Sequence, residues 1–455
     1  MRGLVYQNYM ISKTEFLNLF AGSFWKKIID ETLVPYPSNK KPKKIETLEK
    51  LHDDIVHRHY YPGLPREYVV FDKHNCVSRI VPVFDSRENC TYYFCIKQLE
   101  QTIAVNRVEG TFGGWSLGNP IRKREEEELE ELTPPSPIPQ NSYNPFKWSQ
   151  NWKEFQKRAY LYSKNPNHCF FLKFDIANFY DTINLSLLED KIRLFTNSKD
   201  AFVIDLLFHF LRNWNRRFER YSQKSVGIPQ DEVGDCSRIL ANFYLQDYDA
   251  FMKAECNKYG ACYLRYSDDQ IIMTPSEEVA YEILFEASKE LFKINLNINS
   301  SKVSSFYSRD EFYKYWAFEI FELLDDPKDV DKVNQGIELY FKWLDGRVYF
   351  RHDSVLRRIV SVGLSVVKPH LKYRLMSALY EPKFLIAQDY WLLNKVAQCL
   401  PDRTDIFNTL DEQIPKVRFS SFHYTLLKFY KRYRKSGFPE TEIIKRIDEL
   451  TLRLT

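Results

Sequence analysis

The chain has 455 residues, 44% hydrophobic and 16% aromatic, with 14 Gly, 21 Pro and a formal net charge of +4. That balance excludes a disordered chain and leaves room for roughly two to four folding units with a large buried core. No apolar run approaches the roughly 20 residues that span a bilayer, and the 8 cysteines form no CxxC pair, which argues against a zinc site or a disulfide framework.

The opening stretch, MRGLVYQNYMISKTEF, mixes polar residues into its apolar ones and lacks a small-residue cleavage site, so no secretory leader is expected. The expectation is a protein of a reducing cytoplasm with no membrane partner. Residues 1 to about 124 combine short helical patterns with strand-like runs such as TYYFCIKQL, Thr91 to Leu99. LHDDIVHRHYY, Leu51 to Tyr61, gathers His52, Asp53, His57 and His59 as a His-Asp metal phosphohydrolase would. The spacing of those residues does not put them on one helical face, so the segment reads as a surface helix running into a loop. A Gly-rich patch, GTFGGWSLG, occupies Gly110 to Gly118. An acidic run follows at residues 125–131, then a proline cluster from Thr133 to Pro145. Neither packs as core, and together they read as an exposed insertion or linker.

From Asn151 to about Leu324 strand and helix patterns alternate. FFLKFDI, Phe170 to Ile176, is a short apolar strand ending on a carboxylate, and YLRYSDDQIIM, Tyr263 to Met273, is two apolar strands broken by a polar turn. Ala201 to Phe218 and Ser237 to Met252 have helical spacing. Beyond about Asp326 the pattern is mostly helical. From Phe341 to Thr455 there are 21 Lys+Arg against 12 Asp+Glu, a local basic excess that would attract a phosphate backbone. A solvated helical surface would carry the same charges.

Three Asp-Asp pairs occur, at Asp53-Asp54, Asp268-Asp269 and Asp325-Asp326. A lone pair is ordinarily a turn. Only Asp268-Asp269 is flanked on both sides by strand-like apolar residues. Adjacent acids raise each other's pKa unless a cation offsets them, and oxygen ligands of this kind suit Mg²⁺. If the strand ending at Asp175 neighbours this hairpin, three carboxylates meet at one spot. Two ions there would activate an attacking hydroxyl and neutralise a leaving pyrophosphate.

FDIANFYDTI, Phe174 to Ile183, resembles the first catalytic motif of reverse transcriptases, and RYSDDQIIM, Arg265 to Met273, resembles their aromatic-x-Asp-Asp motif. GIPQDEVGDCSRILANFYL, Gly227 to Leu245, is similar to the Gly-aliphatic-Pro-Gln segment and the Ser-x-x-x-Ala-Asn helix of that family. LFKINLNINSSKV, Leu291 to Val303, looks like its Leu-x-x-Asn-x-x-Lys element, and YWAFEIF, Tyr315 to Phe321, more loosely like the primer-grip hairpin. The resemblance implies that Asp175 and Asp268 bridge the metals, with the Ile176 carbonyl as a further ligand and Asp269 in support. It implies that the Tyr180 ring is a sugar gate against a 2′-hydroxyl, that Gln230 lies under the nascent base pair, and that Lys302 approaches the pyrophosphate as a general acid. The sequence departs from the pattern after Gln230, where Asp231-Glu232-Val233 stand before Gly234 in place of a direct Gly.

Retron-type Asn-Ala-x-x-His and Val-Thr-Gly elements are missing, as is a metal-binding nuclease cluster of the group II intron kind. EGTFGGWSLGN, Glu109 to Asn119, and SRILAN, Ser237 to Asn242, resemble the bacterial abortive-infection and defence-associated reverse transcriptases. The implied architecture is α+β. Fingers occupy residues 1–132 and a proline-rich linker residues 133–150. A palm built on an antiparallel sheet occupies 151–325, with interleaved fingers helices at about 187–225. An all-α, thumb-like or RNA- or oligomer-contacting domain occupies 326–455. The implied activity is RNA-directed DNA synthesis from dNTPs with two Mg²⁺, or Mn²⁺ in their place. A dedicated noncoding RNA and the DNA product would be partners, homo-oligomerisation is allowed, and the role would be antiphage defence. Template-independent or protein-primed synthesis on the same fold is one alternative, and an inactive RNA-binding scaffold is another.

Overall fold

The computed structural model describes residues 11–20, 22–30, 32–37, 40–72, 77–104, 108–114, 117, 148–215, 227–230, 236–386, 390–398, 403–434 and 437–452. The acidic run at 125–131, the proline cluster and the Asp231-Glu232-Val233 insertion lie outside the described residues. The chain divides into two compact units, one within residues 1–67 and 82–309, the other within 68–81 and 310–455.

Strands β1 (Glu67–Asp72) and β2 (Ser78–Val83) form a two-stranded sheet, and residues 68–81 of it belong to the second unit. A five-stranded sheet organises the first unit. Its strands are β3 (Thr111–Phe112), β4 (Phe170–Asp175), β5 (Cys262–Tyr266), β6 (Asp269–Thr274) and β7 (Ser304–Phe306), in the order β3-β5-β6-β4-β7. The β5–β6, β6–β4 and β4–β7 pairings are antiparallel, and β3 runs parallel to β5. The sheet is therefore mixed, which corrects the expectation of an antiparallel one. The parallel edge comes from two residues inside the Gly-rich patch, too short a strand to leave a period-2 signal.

Strand alternation gives this sheet two unlike faces. Phe170, Leu172 and Phe174 of β4, Tyr263 of β5 and Ile272 of β6 point into one large apolar cluster. Helices Gln246–Lys258 and Glu277–Lys293 pack on that face, and each aliphatic side chain buried there contributes roughly 1.5–3 kcal/mol. The opposite face carries Lys173 and Asp175 of β4, Asp269 of β6 and Tyr266 of β5, by the registers Asp175↔Asp269 and Tyr266↔Asp269. Helix Trp148–Ser163 lies against the β3–β5 side of this face, where Trp152 meets the Tyr266 ring and Phe155 the Phe112 ring.

Two local expectations are corrected. Thr91 to Leu99 is not a strand but the middle of helix Ser86–Ile103, in which Tyr92, Tyr93, Phe94, Cys95, Ile96 and Leu99 are all buried. An unbroken apolar run does not distinguish a strand from a helix covered on every side. Tyr315 to Phe321 is not a hairpin but the meeting of helices Arg309–Trp316 and Phe318–Leu323 at Ala317, whose φ is +53°. Phe312 and Trp316, four apart and both buried in the first of these helices, carry the helical period that the aromatic content masks.

The second unit is largely α-helical, with helices such as Val330–Asp345, His352–Val362, Ser420–Tyr433 and Glu440–Leu452. The Val70 amide of β1 donates to the Ser420 hydroxyl at 2.9 Å, tying the small sheet into this unit. Among the described residues no helix is long and apolar enough to cross a membrane.

Candidate active site

The β5–β6 hairpin closes with Tyr266 opposite Asp269, so Ser267 and Asp268 form a two-residue connection. Ser267 takes φ +54°, the left-handed value such tight hairpin turns call for. Arg265, fully buried two residues before the turn, holds this geometry. Its Nε and Nη2 donate to the two carboxylate oxygens of Asp249 at 2.7 and 2.6 Å, and its Nη1 donates to the Ser267 carbonyl at 2.7 Å and to Asn242 Oδ1 at 2.8 Å. Tyr263 donates to Asp249 at 2.9 Å, and Tyr248 donates to Gln270 at 2.7 Å. A buried, bidentate pair of this kind fixes orientation, and removing one member strands a charge in the core.

The Gly-rich patch braces the hairpin from outside. Gly110 and Phe112 carbonyls accept from the Arg265 and Ser267 amides at 2.9 and 3.3 Å, and Asn242 Nδ2 donates to the Gly114 carbonyl at 2.7 Å. Gly113, at φ +120°, stands where a Cβ would come within 3.2 Å of the Ser267 hydroxyl and 3.3 Å of Asn242 Nδ2.

Beside this frame, β4 delivers Asp175 opposite Asp269. Asp175 is 2% exposed, and its Oδ1 is buried without a hydrogen-bond partner. Its Oδ2 pairs with Lys302 Nζ. Lys302 reaches that point because β4 continues into an antiparallel bridge between Ile176 and Ile298, with Ala177 N to Asn297 O and Asn299 N to Asp175 O both at 2.8 Å. The turn Ser300–Lys302 follows directly. In that bridge the Ile176 carbonyl is directed away from the 297–299 segment, while its side chain packs in the core. Asp269 Oδ1 accepts from Lys173 Nζ at 2.6 Å. Asp268, half-buried at the tip, has its carboxyl pushed up to about 6 by burial first and by the nearby Asp269 and Asp175 charges after it.

The site thus concentrates three acids against two lysines. Among the described residues no three His, Cys, Asp or Glu side chains are grouped as a ready-made metal cage. The donors nonetheless fit a hard divalent cation. They are carboxylate oxygens, one of them buried without a partner, and the protonation of Asp268 is eased by the crowding that a cation would relieve.

Tyr180 and Gln230 sit in a neighbouring cluster. Tyr180 lies in the short helix Phe179–Thr182, entered through Asn178 at φ +47°. Its carbonyl accepts from the Ile228 amide at 3.0 Å. A Cβ on Gly227 would fall 1.9 Å from that carbonyl, so only glycine fits there. The Pro229 carbonyl accepts from Ser237 Oγ, which contacts the Tyr92 hydroxyl at 2.8 Å. Gln230 ends this segment half-buried and takes no part in the carboxylate–lysine bonding among the described residues. Among the described residues the histidine-rich segment groups no three metal-ligating side chains: His52 Nε2 faces the Ile11 carbonyl at 3.1 Å, its Nδ1 lies 3.5 Å from Asp53 Oδ1, and Asp53 also pairs with Lys13 at 3.2 Å. Sequence reasoning missed Lys173, Asn242, Asp249 and Arg265. Lys173 was readable as lying on the face of Asp175 by period 2, and Arg265 and Asn242 stood inside recognised motifs. Asp249 carried no signal.

Residues 126–330 match the model of the family described as reverse transcriptase (RNA-dependent DNA polymerase), and the chain carries a reverse-transcriptase-like domain. Three solved structures are similar. Telomerase from Candida albicans in complex with the TWJ fragment of telomeric RNA matches at 10% identity over 90% of this chain and 71% of its own, with a TM-score of 0.36. Telomerase from Candida tropicalis with the same kind of fragment matches at 12% identity over 90% and 68%, with a TM-score of 0.34. The apo Candida tropicalis enzyme truncated from its C-terminal domain matches at 12% identity over 60% of this chain, with a TM-score of 0.34, and this chain spans 58% of its length. No curated protein matches.

Two outcomes follow from the frame and its charges. Asp249→Ala should destabilise the fold by about 3–5 kcal/mol, the range for stranding a buried partner, measured by denaturant unfolding. For Asp268 the raised pKa means that the folded state holds the proton more tightly than the unfolded chain. That contribution is full below about 3.8 and is lost as pH rises through about 6. Asp268→Asn should therefore raise the thermal midpoint of metal-free protein at pH 7.5 and leave it nearly unchanged at pH 3.5. A lower midpoint at pH 7.5 would contradict this reading.

Proposed function

We propose that this chain is a reverse transcriptase that adds dNTPs to a 3′-hydroxyl on an RNA template, releasing pyrophosphate. The observation that carries the reading is the strand register that sets Asp175 opposite Asp269, with Asp268 at the adjoining turn. The family match over residues 126–330 supports it.

Asp175 and Asp268 would hold two Mg²⁺, with the Ile176 carbonyl as a further ligand and Asp269 nearby. When bound, the ions supply activation of the attacking hydroxyl and stabilisation of the leaving pyrophosphate. The protein's own groups do the rest. Lys302, whose side chain is 48% exposed, can leave Asp175 and meet the pyrophosphate as a proton donor. The Tyr180 ring stands as the gate against a 2′-hydroxyl, its backbone pinned to Gly227 and Ile228. Through the same segment Gln230 supports the templating base pair.

The finer assignment is to the abortive-infection and defence-associated group, with a dedicated noncoding RNA as template or organiser, in the cytoplasm. Its support is the wording of two segments, Glu109 to Asn119 and Ser237 to Asn242, whose described parts meet at the hairpin through Asn242, Gly113 and Gly114.

Sequencing of nucleic acid copurified with the wild type and with the Asp268→Ala/Asp269→Ala double variant tests the function. RNA in both samples with new DNA only in the wild type is the expected result. DNA of the same sequence and amount in both would overturn it.

A further inference from the structure

The two lysines at the carboxylates differ in a way that decides which acids are available to an ion. Lys302 is 48% exposed and sits on a short turn, so its ammonium can swing into water and free Asp175. Lys173 is 12% exposed and rises from the interior strand β4, with Ile271 of β6 on one side and Ser304 of β7 on the other. An ammonium so placed has little access to water, and separating it from its counter-charge is costly. Its Nζ lies 2.6 Å from Asp269 Oδ1, across the strand diagonal that links Lys173 to the residue opposite Asp175.

We propose that Lys173 is a resident cation that positions Asp269 and keeps it out of the ligand set, so that a divalent ion here is held by Asp175 and Asp268. This inference rests on the polymerase reading of the site. It makes the adjacent acids unequal. Asp269 already has a fixed positive partner in Lys173, whereas Asp268 stands at the turn beside it. The acid with an orphaned buried oxygen, Asp175, and the tip acid Asp268 are then the pair left to share an ion. Lys173 is a positioning residue in this account, since it acts through Asp269.

Mn²⁺ binding to the full-length protein, followed by electron paramagnetic resonance with and without dNTP, tests the assignment through a readout that fold stability alone does not move. Asp175→Asn and Asp268→Asn should each weaken Mn²⁺ binding by about tenfold or more. Asp269→Asn should leave it within about twofold while Lys173 is present, because the amide oxygen still accepts from the ammonium. In a Lys173→Met background Asp269 is released to the ion, and Asp269→Asn should then weaken binding by about tenfold. Lys173→Arg, which keeps the charge, should behave as the wild type. Circular dichroism melts identify any variant that fails to fold, in which case the Arg variant and Asp269→Asn alone carry the test. Loss of affinity in Asp269→Asn equal to that in Asp268→Asn, with Lys173 present, would overturn the inference and leave the polymerase reading intact. Absence of Mn²⁺ binding by the wild type under both conditions would overturn both.

Discussion

A guanidinium with no access to water is tolerated only where carboxylate and carbonyl oxygens meet most of its N–H groups. Arg265 is in that position, and the carboxylate-bearing end of the sheet depends on it. Two of its nitrogens are taken by Asp249 and a third by the Ser267 carbonyl and Asn242. The turn is thereby fixed from the core side of the sheet, while its acids project on the other. Asn242 carries the constraint outward to Gly114, and Gly113 lets that backbone approach. Residues from four separated segments of the chain thus hold one two-residue turn.

Such rigidity has a use at a place where like charges crowd. The acids at 175, 268 and 269 cannot relax apart, because the register of β4, β5 and β6 fixes their backbones. The crowding is relieved within the chain by Lys173 and Lys302, and a divalent ion of the kind proposed would relieve it further. The two lysines are unequal in exposure, and that inequality divides the site into a fixed half around Asp269 and an exchangeable half around Asp175 and Asp268.

The candidate site was more legible in the sequence than the fold around it. Asp175 at a strand end and Asp268-Asp269 in a turn between strands announce themselves by composition and order. Gly227 was readable as a motif glycine, although its reason, contact with the Tyr180 carbonyl, needs the third dimension. Less legible were elements buried over most of their surface. Thr91 to Leu99 reads as a strand because neighbours cover nearly all of its helix, leaving Gln98 alone of the stretch exposed, which weakens amphipathic contrast. The two-residue strand β3 is invisible for the opposite reason, being too short to show a period. Asp249 was hidden because an acid on a helix is ordinarily solvated, and only the arrival of Arg265 from β5 explains its burial.

All of this comes down to whether the hairpin tip and the end of β4 share metal ions. Anomalous diffraction from crystals soaked in Mn²⁺ with a dNTP measures that directly. Anomalous peaks lying between the carboxylates of Asp175 and Asp268 are the expected result. Crystals in which dNTP and Mn²⁺ occupy another part of the chain, with no peak at these two acids, would contradict it.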